Sequence, residues 1–517
     1  MEPLVLTFDI GTQSIRGLLV KKDGSFVDKK QIVYEQPYIE KMPFRAEQKP
    51  SFYYDKLCEV SRMLLSEHTD IIENIICVTV TVIRDTVLCL DKDNKPLRDI
   101  ILWLDKREAK FNNPFPAKML LFKLVGMADT VEVQYKSSVC NNLMQSEPDL
   151  WEKTAKYVFL PAYLNYLMTG RLVESIGNVI GHVPFDYKKR QWMSKGSLTR
   201  CVMDIPADKL PELIEPGEVI GEINKNTSEN SLIPEGLPLI ATGSDKGCET
   251  LGLSVASSGK AAISFGTSAT VQISTEKYVE PQKFMPAYPA IINNRYNPEI
   301  QIFRGYWMLP WFIRNFAHEE SQIAEKEGVC AEEVLNRHLK DVPPGCDGLI
   351  LQPYWTAGIT IPNARGTVMG FTDKVSKYHL YRSIIEGINF ELLDSINRLE
   401  KQSGVPIKEI YISGGGSRSD EILQIAADMF GRPVKRIQTH EACALGSSIA
   451  GFVAMKEFDS YDNAIKSMVH IKDTFEPNPD NNRLYNKLYN DVYSRLYKRL
   501  DGLYKSEKRI YTHGGEK

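Results

Sequence analysis

Near the start of the chain, apolar and β-branched positions form short runs separated by small, hydroxyl-bearing turns. Leu4-Val5-Leu6-Thr7-Phe8-Asp9 leads into Ile10-Gly11-Thr12-Gln13-Ser14 and then Ile15-Arg16-Gly17-Leu18-Leu19-Val20, with Lys21-Lys22-Asp23-Gly24 as the next turn signal. This pattern predicts a β-meander. Further strands are expected at Ile75–Val82 and Thr86–Asp91. A second meander is predicted over Lys260–Ile273, where Phe265-Gly266-Thr267-Ser268 echoes the first turn about half a chain later. Such a repeat predicts two domains of related design, 1–253 and 254–517, meeting among the small residues of 252–259.

In the second half, the strand Ile407–Ser413 enters Gly414-Gly415-Gly416, and Ile422, Leu423, Ile425, Ala426 and Met429 follow at helical spacing up to Gly431-Arg432-Pro433. That is a strand, a glycine turn and a capped helix. Leu484, Leu488, Val492, Leu496 and Leu500, with tyrosines at 485, 489, 493, 497 and 504, predict a docked amphipathic helix at the end of the chain.

Composition narrows the function. Among 517 residues, 63 Lys+Arg face 66 Asp+Glu, the net charge is -3 and 43% are hydrophobic, which excludes a disordered chain. Without a long basic block, nucleic acid is not expected as the main partner. Nine scattered cysteines with no Cys-x-x-Cys pair fit neither a disulfide framework nor a zinc cluster. No basic segment precedes the first apolar stretch, and no apolar run approaches the ~20 residues that cross a bilayer. The expectation is a cytoplasmic protein with a small-molecule ligand and no membrane contact.

Turns built of Gly, Thr and Ser offer unobstructed backbone N–H groups and hydroxyls, and so can cradle phosphate. Two related turns, plus the glycines at 414–416, are a stronger signal than any one alone. The chain has no Gly-x-x-x-x-Gly-Lys-Ser/Thr and no Gly-x-Gly-x-x-Gly after a strand, which weakens the P-loop and dinucleotide readings. Asp9, at a strand end before the first turn, is placed to meet a hard cation such as Mg²⁺ beside phosphates. Asp245, in Thr242-Gly243-Ser244-Asp245-Lys246-Gly247, is delivered by a strand to the head of a helix. There it can take a proton from an attacking hydroxyl or simply cap the helix.

With these pieces in order, the sequence resembles the FGGY family of carbohydrate kinases, in the actin-like ATPase superfamily. The resemblance spans nearly the whole chain. It is carried by Asp9-Ile10-Gly11-Thr12, Trp103-Leu104-Asp105, Thr242-Gly243-Ser244-Asp245, Phe265-Gly266-Thr267-Ser268, Glu386-Gly387, Ser413-Gly414-Gly415-Gly416 and Glu441-Ala442-Cys443-Ala444-Leu445-Gly446. It implies an α/β protein of two RNase H-like domains, each a mixed central sheet with flanking helices, around a central cleft. It also implies ATP and Mg²⁺ as cofactors, a small sugar or polyol as substrate, and a possible homodimer. By residue, it implies Asp245 as general base, Asp9 at the metal, and Thr12, Gln13, Arg16, Gly266, Thr267, Gly305, Gly415 and Ser419 at the nucleotide. Arg84, Asp85, Trp103 and Tyr135 are implied at the acceptor. Arg84-Asp85-Thr86 is closer to the Arg-Glu-Thr of glycerol kinases than to the Met-His-Gly of xylulose kinases, with Asp in place of Glu. The family's Gly-x-Arg-x-Pro stretch is replaced by residues 354–361, and its Ser/Thr-rich pattern is thinned over 174–182. The alternatives are a xylulose-type ketose kinase and a non-kinase actin-like ATPase.

Overall fold

Leu4–Ile10 is apolar at every position except Thr7 and Asp9, the composition of a strand covered on both faces, and all seven residues are buried. The computed structural model describes residues 2–282, 285–358 and 361–513; Ile359 and Thr360, part of the 354–361 departure, lie outside them. The chain divides into two compact units. The first runs to Ala256 and takes in Glu276–Asn297 and Glu441–Val469; the second comprises Ser257–Thr275, Pro298–His440 and the chain from His470.

The first unit is built on β1 (Leu4–Ile10), β2 (Ser14–Lys21), β3 (Phe26–Val33), β4 (Ile75–Val82), β5 (Val219–Glu222) and β6 (Pro238–Ile240). They form a six-stranded sheet in the order β5-β6-β4-β1-β2-β3. The β1–β2–β3 meander is antiparallel, β4 and β6 add in parallel, and β5 closes the edge antiparallel. The expected strand at 86–91 forms as Val87–Leu90, in a separate four-stranded sheet.

The second unit repeats the plan with β7 (Lys260–Phe265), β8 (Ala269–Ile273), β9 (Glu299–Ile302), β10 (Glu409–Ser413), β11 (Val434–Ile437) and β12 (Ile471–Phe475). Their order is β9-β8-β7-β10-β11-β12, again an antiparallel meander, two parallel additions and an antiparallel edge. The echo between the two small turns thus reflects two sheets of the same topology. The expected capped helix forms over Asp420–Phe430, with Ser419 Oγ accepting from Ile422 N–H and Gly431 in the left-handed conformation at its end.

Two helices of the first unit, Asp245–Gly252 and Ala442–Ala454, cross at backbone distance. A Cβ on Gly446 would lie 1.9 Å from the Cys248 carbonyl oxygen, and one on Gly252 2.0 Å from that of Ala442. Thr7 anchors the second of these helices to β1: its hydroxyl lies 2.7 Å from both Thr79 Oγ1 and Ser448 Oγ.

The C-terminal helix docks, as expected, but through tyrosines more than through the leucine stripe. Tyr485, Tyr493 and Tyr504 are buried, whereas Leu484 is 40% exposed. A five-residue π-turn, Tyr489–Tyr493, interrupts the helix. The long helix Lys377–Ser403 supplies carboxylate partners: Tyr485 donates to Glu386 at 2.7 Å, Tyr489 to Asp394 at 2.8 Å and Tyr493 to Glu391 at 2.8 Å. Tyr354 donates to the same Glu391 oxygen at 2.5 Å. Burial pushes the Glu391 carboxyl up to about 7, against the pull of the two phenols. The folded state therefore holds this proton more tightly than the unfolded chain, and stability is lost as pH rises from about 4.5 through about 7. Gln keeps an acceptor oxygen for both phenols and cannot ionise. Glu391→Gln should match the parent near pH 4.5 and exceed it at pH 8, by on the order of 3 kcal/mol, measured as urea unfolding at the two pH values.

Candidate active site

The β1–β2 hairpin turns tightly at Gly11–Gln13, with Gly11 N–H donating to the Ser14 carbonyl at 2.9 Å. Asp9 and Arg16 face each other across this hairpin, and Arg16 Nη1 lies 3.2 Å from Asp9 Oδ2. Arg16 Nε is 3.4 Å from Glu441 Oε2, and Lys29 Nζ is 2.9 Å from Glu441 Oε1. Burial raises the Asp9 carboxyl to about 7; Arg16 opposes the shift, while the carboxylates of Asp245 and Glu441 add to it. A buried carboxylate with incomplete charge balance is the donor that a hard divalent cation with phosphate and water ligands requires, so Asp9 fits Mg²⁺. Thr12 Oγ1 accepts from the Trp103 indole N–H at 3.0 Å, which leaves its own hydroxyl proton free to donate. The Gln13 carbonyl accepts from Tyr34 N–H at 2.9 Å while its side chain is exposed.

Asp245 opens the Asp245–Gly252 helix without capping it. The cap is Ser244, whose hydroxyl accepts from Gly247 N–H. One Asp245 oxygen, Oδ1, accepts from Lys246 N–H at 2.8 Å and lies 3.9 Å from Arg84 Nε. Burial raises its pKa, partly countered by Arg84 and Lys246. A carboxylate moved toward neutrality and still exposed over about a quarter of its side chain (28%) has the properties of a general base.

Arg84 and Asp85 follow β4 directly. Asp85 adopts φ +50°, a conformation Asp tolerates better than most residues. Its carboxylate is engaged by His182, whose ring Nδ1 lies 2.8 Å from Oδ2. The Arg84 guanidinium lies 5.7 Å from the ring centroid of Tyr288, whose ring meets that of Tyr187 at 5.7 Å. His182 closes the thinned 174–182 segment without a role that the sequence assigns it, and Tyr187 and Tyr288 lie in no motif; all three come from segments distant from Arg84. Tyr135 belongs to a different group: its ring packs on Phe111 and Phe115, and its hydroxyl accepts from Gln145 Nε2 at 3.2 Å. The loose match of its neighbours in sequence gave no guide to this aromatic packing.

In the second unit, Gly266–Ser268 turns between β7 and β8, with Thr267 exposed. Gly305 braces this hairpin: a Cβ there would lie 2.3 Å from the Ala269 nitrogen, and Tyr306 N–H donates to the Gly266 carbonyl at 3.0 Å. Of the three glycines after β10, Gly414 packs on Phe265 and Gly416 on the Tyr306 ring, whereas a Cβ on Gly415 would meet nothing within 4 Å. Gly415 is therefore the one with open space before it. The Ser419 hydroxyl caps its helix and lies 2.9 Å from Glu421 Oε2, so its side chain is already committed.

The arrangement in the first unit, a buried strand-end carboxylate on a small-residue hairpin and a second carboxylate at a helix head beside an arginine, suits phosphoryl transfer to a hydroxyl. Comparison with known proteins agrees. Residues 4–252 match the N-terminal domain of the FGGY family of carbohydrate kinases, and residues 261–455 match its C-terminal domain. An uncharacterized sugar kinase of Escherichia coli is 26% identical over 482 residues, covering 93% of this chain and 90% of its own. A xylulose kinase of Lactococcus lactis is 26% identical over 493 residues, covering 93% and 94%. The ligand-bound xylulose kinase structure from Lactobacillus acidophilus superposes with a TM-score of 0.81 at 20% identity, covering 98% of this chain and 99% of that one. Among the described residues, no helix is long and apolar enough to cross a membrane. The chain belongs to the FGGY family of carbohydrate kinases and is an ATP-dependent sugar kinase.

Proposed function

We propose that the kinase phosphorylates an uncharged ketose or polyol, with Asp245 as the general base. The observation that carries this reading is the pairing of charges around Asp245. Arg84 stands against Asp245 at 3.9 Å and His182 against Asp85 at 2.8 Å, so neither cation is left over to neutralise an acceptor carboxylate. Hydroxyls suit such a site, because they donate to carboxylates and accept from a guanidinium. The xylulose kinases among the relatives support a ketose, and Arg84-Asp85 supports a polyol.

In this mechanism Asp245 accepts the proton of the attacking hydroxyl, and Arg84 holds the acceptor beside it. The amides of Thr12 and Gln13, and in the second unit those of Gly266–Ser268, supply fixed donors for phosphate oxygens at no reorganisation cost. Asp9 holds Mg²⁺, which when bound neutralises phosphate charge. Trp103 stands against Thr12, and Gly415 leaves room for the nucleoside. The same reading sets the enzyme in the cytoplasm, where its cysteines stay reduced, and family resemblance supports a homodimer.

The test is a panel of xylulose, xylitol, glycerol and gluconate in a coupled assay of ADP release. Stimulation by the ketose or a polyol at least about tenfold above gluconate in kcat/KM is expected. Preference for gluconate would overturn the charge argument.

A further inference from the structure

The sequence gives Asp85 a direct part in holding acceptor hydroxyls, but in the structure both of its oxygens are occupied by one residue. His182 Nδ1 lies 2.8 Å from Oδ2, and the His182 backbone N–H donates to Oδ1 at 3.3 Å. The close approach depends on Gly181, where a Cβ would sit 2.3 Å from Asp85 Oδ1. A carboxylate on Nδ1 keeps the proton on that nitrogen and fixes both the tautomer and the plane of the ring. Nε2 is then directed away from Asp85. It has no hydrogen-bond partner among the described residues, and the side chain is 26% exposed.

The neighbours of Asp85 and Gly181 lead back to Asp245. Asp85 follows Arg84, whose Nε is 3.9 Å from Asp245 Oδ1, and Arg84 lies over Tyr288. Tyr288 meets Tyr187, whose hydroxyl donates to the Gly181 carbonyl at 3.5 Å, next to His182 itself. The chain of contacts from Arg84 through Asp85, His182, Gly181, Tyr187 and Tyr288 closes into a ring.

We infer that His182 is an acceptor-binding residue, its Nε2 bonding a hydroxyl of the sugar or polyol, and that Asp85 is the positioning residue that aims it. The inference rests on the reading of Asp245 and its surroundings as the acceptor site. A neutral ring with its proton on Nδ1 accepts at Nε2, whereas a charged ring donates there. A substrate hydroxyl answers either, and a hydrocarbon or a deoxygenated analogue answers neither. His182 thereby becomes a determinant of which hydroxyl pattern is accepted.

The experiment compares His182→Ala, His182→Gln and Asp85→Asn, and the Asp85→Asn/His182→Ala double variant, using the best acceptor of the panel and its deoxy analogue. Loss of one hydrogen bond to a substrate should raise the acceptor KM about tenfold in His182→Ala, with kcat and the ATP KM within about twofold. Asp85→Asn should reproduce that change, and the double variant should be no worse than either single one, because both act through one contact. Discrimination against the deoxy analogue should shrink in parallel, and His182→Gln, which keeps a polar end, should recover part of it. An unchanged acceptor KM in both His182 variants would overturn the inference, as would Asp85 and His182 effects that simply multiply. Melting temperatures identify a variant that fails through folding, and His182→Gln then decides. Retained turnover in Asp245→Asn would strike the base assignment instead, which the acceptor KM of the His182 variants reports separately.

Discussion

Asp245→Asn is expected to retain ATP binding and to lose turnover by about 10²- to 10⁴-fold, the contribution of a positioned general base. The substitution is close to isosteric, and the local fold does not depend on the charge. Ser244 caps the helix, and the bond from Lys246 N–H to Oδ1 survives with an amide oxygen. What disappears is the ability to take up a proton at the site facing Arg84. Nucleotide affinity measured by calorimetry, alongside kcat from coupled ADP release, separates the two effects. Turnover within a few fold of the parent would remove Asp245 from the role of base.

Gly446→Val should be strongly disruptive although it lies outside the chemistry itself. The added Cβ would fall 1.9 Å from the Cys248 carbonyl oxygen, and rotamer change cannot relieve a clash between a Cβ and a backbone atom. The crossing with Asp245–Gly252 has to open, which costs about 3 kcal/mol or more by the measure of overpacked cores. Because Asp245 is the first residue of that helix, the displacement also reaches the base. Urea unfolding should show a lowered midpoint, and the fraction that folds should have reduced kcat. Gly446→Ala, with the same clash but less bulk, should follow in direction at smaller size. An unchanged midpoint in both variants would mean that the helices are not held together at this crossing.

The strands and turns that carry the candidate residues were legible because they are local. A run such as Leu4–Ile10, apolar on both faces, has few alternatives to a buried strand, and a Gly-Thr turn between two such runs has few alternatives to a hairpin. The repeat at 260–273 was legible for the same reason, and the two sheets share one strand order. Other features depend on the chain's return to distant places. Glu276–Asn297 and Glu441–Val469 rejoin the first unit with no shift in composition to mark them, and one brings Tyr288 and the other Glu441. The grip of His182 on Asp85 spans 97 positions and shows in no motif. Tyr135 is carried over by position, and the packing of its ring on Phe111 and Phe115 is a contact that its neighbours in sequence do not announce.

The π-turn at Tyr489–Tyr493 works as a phase corrector. In a straight α-helix each residue advances about 100°, so side chains eight positions apart, as Tyr485 and Tyr493 are, would diverge by about 80°. One additional residue in the turn absorbs nearly all of that divergence and brings both phenols to bear on the carboxylates of Lys377–Ser403. The eleven residues from Tyr493 to Tyr504 amount to just over three whole turns, which keeps Tyr504 on the same side, its hydroxyl 2.6 Å from Thr367. Deleting a single residue within 489–493 would therefore let the turn relax into ordinary α-helix with the two phenols seven positions apart, about 20° short of two whole turns, and the tail would keep its seat.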